Sequence, residues 1–137
     1  KTEMTDDSSV FSYETIEDIL IVTPTRDLAS CRDSDMRDAY NEAYRLVVTG
    51  STCHLVFDFS NLSYFGSTFV GIMVRLAKKV RSANGETVLC HLSDEIQGIL
   101  KQLMLLENPK IDFFWKQMET RETTVTWLQS HAPREEH

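Results

Sequence analysis

His54-Leu-Val-Phe-Asp-Phe-Ser60, then Asn61-Leu-Ser-Tyr-Phe-Gly66, then Ser67-Thr-Phe-Val-Gly-Ile-Met-Val-Arg-Leu76 is the stretch whose reading decides the fold. Its first part is an apolar and aromatic run of strand length. Beyond the link, Val70, Met73, Val74, Ala77 and Val80 recur at intervals of three and four. That spacing predicts one apolar face of a helix, with Ser67 as its N-cap. Asn84-Gly85 supplies the stop, because glycine reaches positive φ freely, and Glu86-Thr-Val-Leu-Cys-His-Leu92 resumes strand-like. A strand, helix, strand unit of this length joins parallel strands, so the end of the first strand and the start of the helix share one rim of a sheet. Open sheets bind their partners at that rim.

Working outward, Val10 to Tyr13 and Ile19 to Thr23 read as a hairpin turning at Glu17-Asp18, and Pro24 ends its second strand. Asp27 to Val48 carries a helical pattern of Leu28, Cys31, Met36, Ala39, Tyr40, Ala43 and Leu46-Val47, closed by Gly50-Ser51. After the Val88-Leu89 strand, Ser93-Asp94-Glu95 starts a helix with Ile96, Ile99, Leu100, Leu103 and Met104 inside, and Asn108-Pro109 stops it. Ile111 to Trp115 reads as a last strand, and Thr120 or Thr123 opens a terminal helix burying Val125 and Trp127 or Leu128. The class is α/β: a mixed, mostly parallel sheet of about five strands with about four or five covering helices. One domain is expected over residues 10–130, with polar, loose tails at 1–9 and 131–137.

The 137 residues carry 21 acidic and 14 basic side chains, a net charge of −7, which argues against nonspecific binding to nucleic acid or an anionic membrane. No apolar run reaches a membrane span and the first residues lack the apolar centre of a signal peptide, so a cytoplasmic protein is expected. Cys31, Cys53 and Cys90 are too widely spaced for a disulfide framework. Cys53-His54 and Cys90-His91 offer metal-ligand chemistry, but one pair opens its strand and the other closes its own, so they fall at opposite ends of a parallel sheet. There is no glycine-rich phosphate loop and no nucleophile, base and orienter set; Ser67 has no assignable general base. No catalytic residue, metal or cofactor is expected.

The order of elements, with a serine-bearing turn between the third strand and its helix, resembles the STAS domain family, which includes bacterial anti-sigma factor antagonists. Val56-Phe57-Asp58-Phe59-Ser60 stands where the family has its strand ending in Asp-apolar-Ser, and Gly66-Ser67-Thr68-Phe69 where it has Asp-Ser-Ser/Thr-Gly. The Gly85 turn, the Val88-Leu89 strand and the Ser93 helix ending in Leu105-Leu106 match as well. Gly66 replaces the family's acidic residue and Phe69 its glycine. Pro24-Thr-Arg-Asp27 echoes the turn after the second strand.

The resemblance implies a non-catalytic regulator of transcription that binds an anti-sigma factor with serine kinase activity and is released by phosphorylation at Ser67. A serine phosphatase would restore binding, and ATP and magnesium would belong to the kinase. Thr68 is the second choice of acceptor and Ser63 a distant third. Local sequence alone favours a plain helix cap at Ser67, a role compatible with that of phosphoacceptor. Phe69 and Ile72 lie off the Val70, Val74, Ala77 stripe and are expected near solvent as a docking patch, unless another helix covers them. Asp27, Asp58, Gly66, Ser67 and Thr68 complete the expected partner surface, with each carboxylate open to a turn or cap role instead. Arg75, Lys78, Lys79 and Arg81 form a solvated face or a surface for an acidic partner. Two other functions fit the same rim. One is a permanent scaffold or transporter-associated module, with a homo-oligomer as one form of assembly; the other is a sensor of a small molecule or lipid.

Overall fold

The hairpin forms as its pattern requires, with β1 (Phe11–Ile16) antiparallel to β2 (Ile19–Pro24) and Glu17 at φ 55° in the turn between them. The computed structural model describes residues 10–25, 32–50, 52–62, 65–102 and 116–130, with Ser67 described by its backbone. Then come α1 (Asp33–Thr49), β3 (His54–Asp58), α2 (Ser67–Ser82), β4 (Thr87–Cys90), α3 (Asp94–Gln102), β5 (Lys116–Met118) and α4 (Arg121–Gln129). The sheet order is β1-β2-β3-β4-β5, and every pairing after the hairpin is parallel. This is the mixed, mostly parallel α/β architecture expected.

Strand alternation divides the core in two. Phe11, Tyr13, Leu20, Val22, Leu55, Phe57 and Leu89 face the side covered by α1, α2 and α3, whose Ala43, Met73, Leu76, Ile96 and Leu100 join the same cluster. The Tyr13 hydroxyl donates to the Ala39 carbonyl at 3.2 Å and ties β1 to α1. On the opposite side Ile19, Ile21, Val56, Val88 and Cys90 pack under α4 through Leu128, with Val125 and Trp127 partly buried beside them.

Two local expectations change, and a third falls outside the described residues. The buried face of α2 is Phe69, Ile72, Met73, Leu76, Ala77 and Val80, while Val70 and Val74 are only partly buried. Both sets satisfy helical spacing, and the helix turns its larger side chains inward because it covers the sheet and meets α1 at once. At the end of α2 it is Asn84, at φ 68°, that takes the left-handed conformation, and Gly85 does not. The final described strand is Lys116–Met118; the expected strand 111–115 lies outside the described residues, as do Leu28, Cys31, Leu103, Met104 and the expected tails.

Gly98 is an exposed glycine within α3, and a Cβ built there meets nothing within 4 Å. Gly98→Ala should therefore raise stability by about 0.5–1 kcal/mol, read as a higher urea midpoint at unchanged slope.

Candidate functional site

The rim is built by the end of β3 and the opening of α2. Phe59 and Phe65 bury themselves against Phe69, with ring centroids 6.1 and 5.7 Å from it, and these contacts fix where the helix starts. Gly66, at φ −110° and ψ −174°, is the N-cap and Ser67 the first helical residue, a correction to the expectation that Ser67 caps. Glycine has no side chain to bond the first-turn N–H groups, and no acidic residue lies in that turn. By contrast, α4 is capped by Thr120, which accepts from the Thr123 N–H at 3.0 Å, and α3 by Ser93, which accepts from the Ile96 N–H at 3.1 Å. Among the described residues, then, no side chain caps the opening of α2, whose outward donors and positive dipole end stay uncovered.

Thr68 is exposed at this opening. It lines a groove of about 420 Å³ between α1 and α2, together with Asp33, Met36, Arg37, Tyr40, Gly71, Ile72 and Arg75.

Of the other expected partner residues, Gly66 caps the same helix and Ile72 borders the same groove, while Phe69 and Asp58 turn away from it. Phe69 and Ile72 are 1% and 3% exposed, so no apolar docking patch forms from them; the sheet, the neighbouring phenylalanines and α1 cover that face. Asp58 is 3% exposed and points to the α4 side of the sheet, because Leu55 and Phe57 on the same strand point to the other. Its Oδ1 accepts from the Ser60 N–H at 2.9 Å and its Oδ2 takes the Arg121 guanidinium at 3.0 Å, so it serves as a turn and ion-pair partner. Asp27 and Ser63 lie outside the described residues.

The sequence pattern of the STAS domain matches residues 11–118. The chain belongs to the STAS domain family. Solved STAS folds superpose on most of it. The anti-sigma factor antagonist SpoIIAA in its unphosphorylated form matches with a TM-score of 0.66 at 13% identity, over 88% of this chain and 99% of that one. The Bacillus cell fate determinant SpoIIAA in its phosphorylated form gives 0.65 at 14% identity, over 85% and 97%. An anti-sigma-factor antagonist (STAS) domain protein from Planctomyces limnophilus gives 0.67 at 14% identity, over 88% and 98%. No curated protein matches the chain by sequence. What the chain shares with these proteins is the STAS fold. No described helix is long and apolar enough to cross a membrane.

A feature of this STAS domain that sequence reading missed is Arg121, the first residue of α4. Its Nη1 pairs with Glu14, its Nη2 donates to Thr23 Oγ1 at 3.0 Å, its Nε to Asp58 at 3.0 Å, and its backbone N–H to His91 Nε2 at 3.3 Å. One residue thus fastens α4 to β1, β2, β3 and the end of β4. The available signal was a cation in the first turn of a helix, where the macrodipole disfavours it.

Among the described residues, two groups of side chains have donor atoms within 4.8 Å of one another: Asp18, Cys53 and His54 at one end of the sheet, Asp58, Cys90 and His91 at the other. A neutral imidazole has one lone pair to give. His54 Nδ1 spends it on the Glu86 N–H at 3.1 Å, and His91 Nε2 on the Arg121 N–H, while Asp58 holds the guanidinium. Neither group is arranged to receive a metal as it stands.

Burial pushes the Cys90 thiol up from 9.0 to about 12, with the nearby Asp58 carboxylate adding to the effect and Arg121 opposing it. The folded state therefore keeps the proton that the unfolded chain loses from about pH 9 upward. With fewer protons on the unfolded state, stability falls as pH rises between about 9 and 12, by up to about 1.4 kcal/mol per unit from this thiol. Cys53, also raised by burial, acts in the same direction. Denaturation at pH 8, 9 and 10 should show the decline, and Cys90→Ala should flatten it; equal slopes in both proteins would refute this origin.

Proposed function

We propose that this STAS domain is a non-catalytic, cytoplasmic regulator of the anti-sigma factor antagonist type. It binds an anti-sigma factor that is also a serine kinase, and phosphorylation at the opening of α2, at Ser67 first and Thr68 second, releases it. In the transfer, the acceptor oxygen bonds the γ-phosphorus of ATP, the bond from that phosphorus to the β,γ-bridging oxygen breaks, ADP leaves, and the hydroxyl proton passes to a base on the kinase. A serine phosphatase reverses the modification by hydrolysis. The SpoIIAA neighbours exist in unphosphorylated and phosphorylated forms, which supports the reading for a chain of the same fold.

The observation that carries the proposal is the uncapped start of α2 on the sheet rim, with no carboxylate in its first turn. A phosphate there adds nearly two negative charges beside backbone donors and is stabilised by about 1 kcal/mol without refolding. The same dianion pressed unpaired into a partner interface costs several kcal/mol, about a hundredfold or more in affinity. The scaffold alternative relied on Phe69 and Ile72 as an exposed patch, and both are in the core.

The test is incubation with a cognate kinase and ATP, mapping of the phosphosite, and partner binding by Ser67→Ala and Ser67→Asp. Incorporation at Ser67 or Thr68, with Ser67→Asp weaker by about a hundredfold, is expected. No incorporation, together with equal binding by the two variants, would end the proposal.

A further inference from the structure

Arginines on this surface fall into two kinds. Arg32 lies beside Asp35 and Arg45 beside Glu42, each pair one helical turn apart. Arg37 and Arg75 have no ion-pair partner among the described residues, although the protein carries a net charge of −7 and Asp33 lines the same groove. Two guanidinium groups against one carboxylate leave this groove with an excess of positive charge on an acidic protein, which suits it to receive an anion.

Arg75 is also aimed. Its guanidinium carbon sits 5.2 Å from the centre of the Tyr40 ring on α1, a cation–π contact across the groove. Its Nη2 lies 4.0 Å from the point where a Cβ on Gly71 would be. The side chain therefore runs back along α2 toward the helix start, over a residue whose missing side chain leaves it room. Thr68 is one turn further on, since residues three and four apart on a helix are neighbours at about 5–6 Å between Cβ atoms. The exposed Thr68 hydroxyl, Arg37 and Arg75 all border this one groove.

We propose that the α1–α2 groove is the receiving site for a phosphoryl group on Thr68, held between Arg75 and Arg37. The inference rests on the reading that the opening of α2 is phosphorylated, and it names the residues that grip the product when Thr68, the second of the two acceptors, is the one modified. A phosphothreonine brings three acceptor oxygens, and planar guanidinium groups can bond two of them at once. Arg37 belongs to α1, so the modified residue would join α1 to α2 and spread the effect of phosphorylation beyond the rim itself. Asp33 is the carboxylate that opposes it.

The test needs no kinase. Phosphothreonine is incorporated during translation at position 68, and separately at exposed Thr126 on α4 as a reference, and the second phosphate ionisation is followed by phosphorus NMR. At position 68 it should fall about half a unit or more below the reference, whose ordinary value is about 6. The difference should narrow in R37Q/R75Q, which leaves the backbone donors of the helix start in place; both changes are at exposed positions and leave the core intact. Equal ionisation at 68 and 126, or no response to the double substitution, would overturn the groove as a receiving site. Kinase mapping judges the switch separately: incorporation at Ser67 alone would refute Thr68 as the natural acceptor, even with the titration as expected.

Discussion

Gly85→Ala should destabilise the domain by about 3 kcal/mol or more, a fall of roughly 10 °C in the melting midpoint. A Cβ at this position would lie 1.7 Å from the Cys53 carbonyl oxygen, 2.8 Å from its carbon and 2.7 Å from Val80 Cγ1. The Val80 side chain can turn aside; the Cys53 backbone cannot. It is pinned by its own N–H to Asp18 at 2.7 Å, and the next rung of the ladder, Leu55 N–H to the Glu86 carbonyl at 2.9 Å, closes over it. Gly85 is in turn held by its N–H to the Val80 carbonyl at 3.0 Å, the contact that finishes α2. Relieving the clash means separating β3 from the start of β4 or unwinding the last turn of the helix. Gly98→Ala, the same substitution at an open site, should move in the opposite direction. If Gly85→Ala unfolded within about 0.5 kcal/mol of the parent in urea, the close approach would not be a real constraint.

Arg121→Met should be the other large effect, a loss of about 3 kcal/mol. The substitution keeps an unbranched stem and removes the only cation bonded to Asp58 among the described residues, while Asp58 stays 3% exposed. Much of the loss is the penalty of an uncompensated buried carboxylate, so the informative measurement is a double-mutant cycle with Asp58→Asn. Once Asp58 is neutral, the same Arg121 substitution should do far less harm, and a coupling of about 1 kcal/mol or more is expected. Strict additivity would place the value of Arg121 in its bonds to Glu14 and Thr23 instead.

What the sequence made legible follows from which forces act locally. The hairpin, the crossover from His54 to Leu92 and the Thr120 cap were readable because alternation, helical spacing and capping chemistry are short-range. The face of α2 was misassigned because Val70-Val74 and Phe69-Ile72 obey the same period, and only the meeting with α1 decides between them. Gly85 was recognised as special for the wrong reason: its neighbour Asn84 bends the chain, and the glycine is needed because Cys53, a residue 32 positions earlier, passes so close. Asp58 looked like a rim carboxylate, and nothing within its own strand foretold a partner 63 positions away. For the site, the opening of α2 was readable from the Gly66-Ser67-Thr68 stretch. The Tyr40–Arg75 contact joins two helices and was not.

Unequal cover of the sheet also sets how the molecule opens. Three helices seal one side, whereas on the other the described cover is nine residues of α4, whose described ion pairs all lie at its first residue, Arg121. Amides of that helix should exchange with solvent well before those of β2 and β3, in excursions far short of global unfolding. Each excursion bares Ile19, Ile21, Val56 and Val88 as one greasy sheet. Crowded together, molecules caught in that state have every reason to stick to one another, so the Arg121 contacts guard solubility as much as stability.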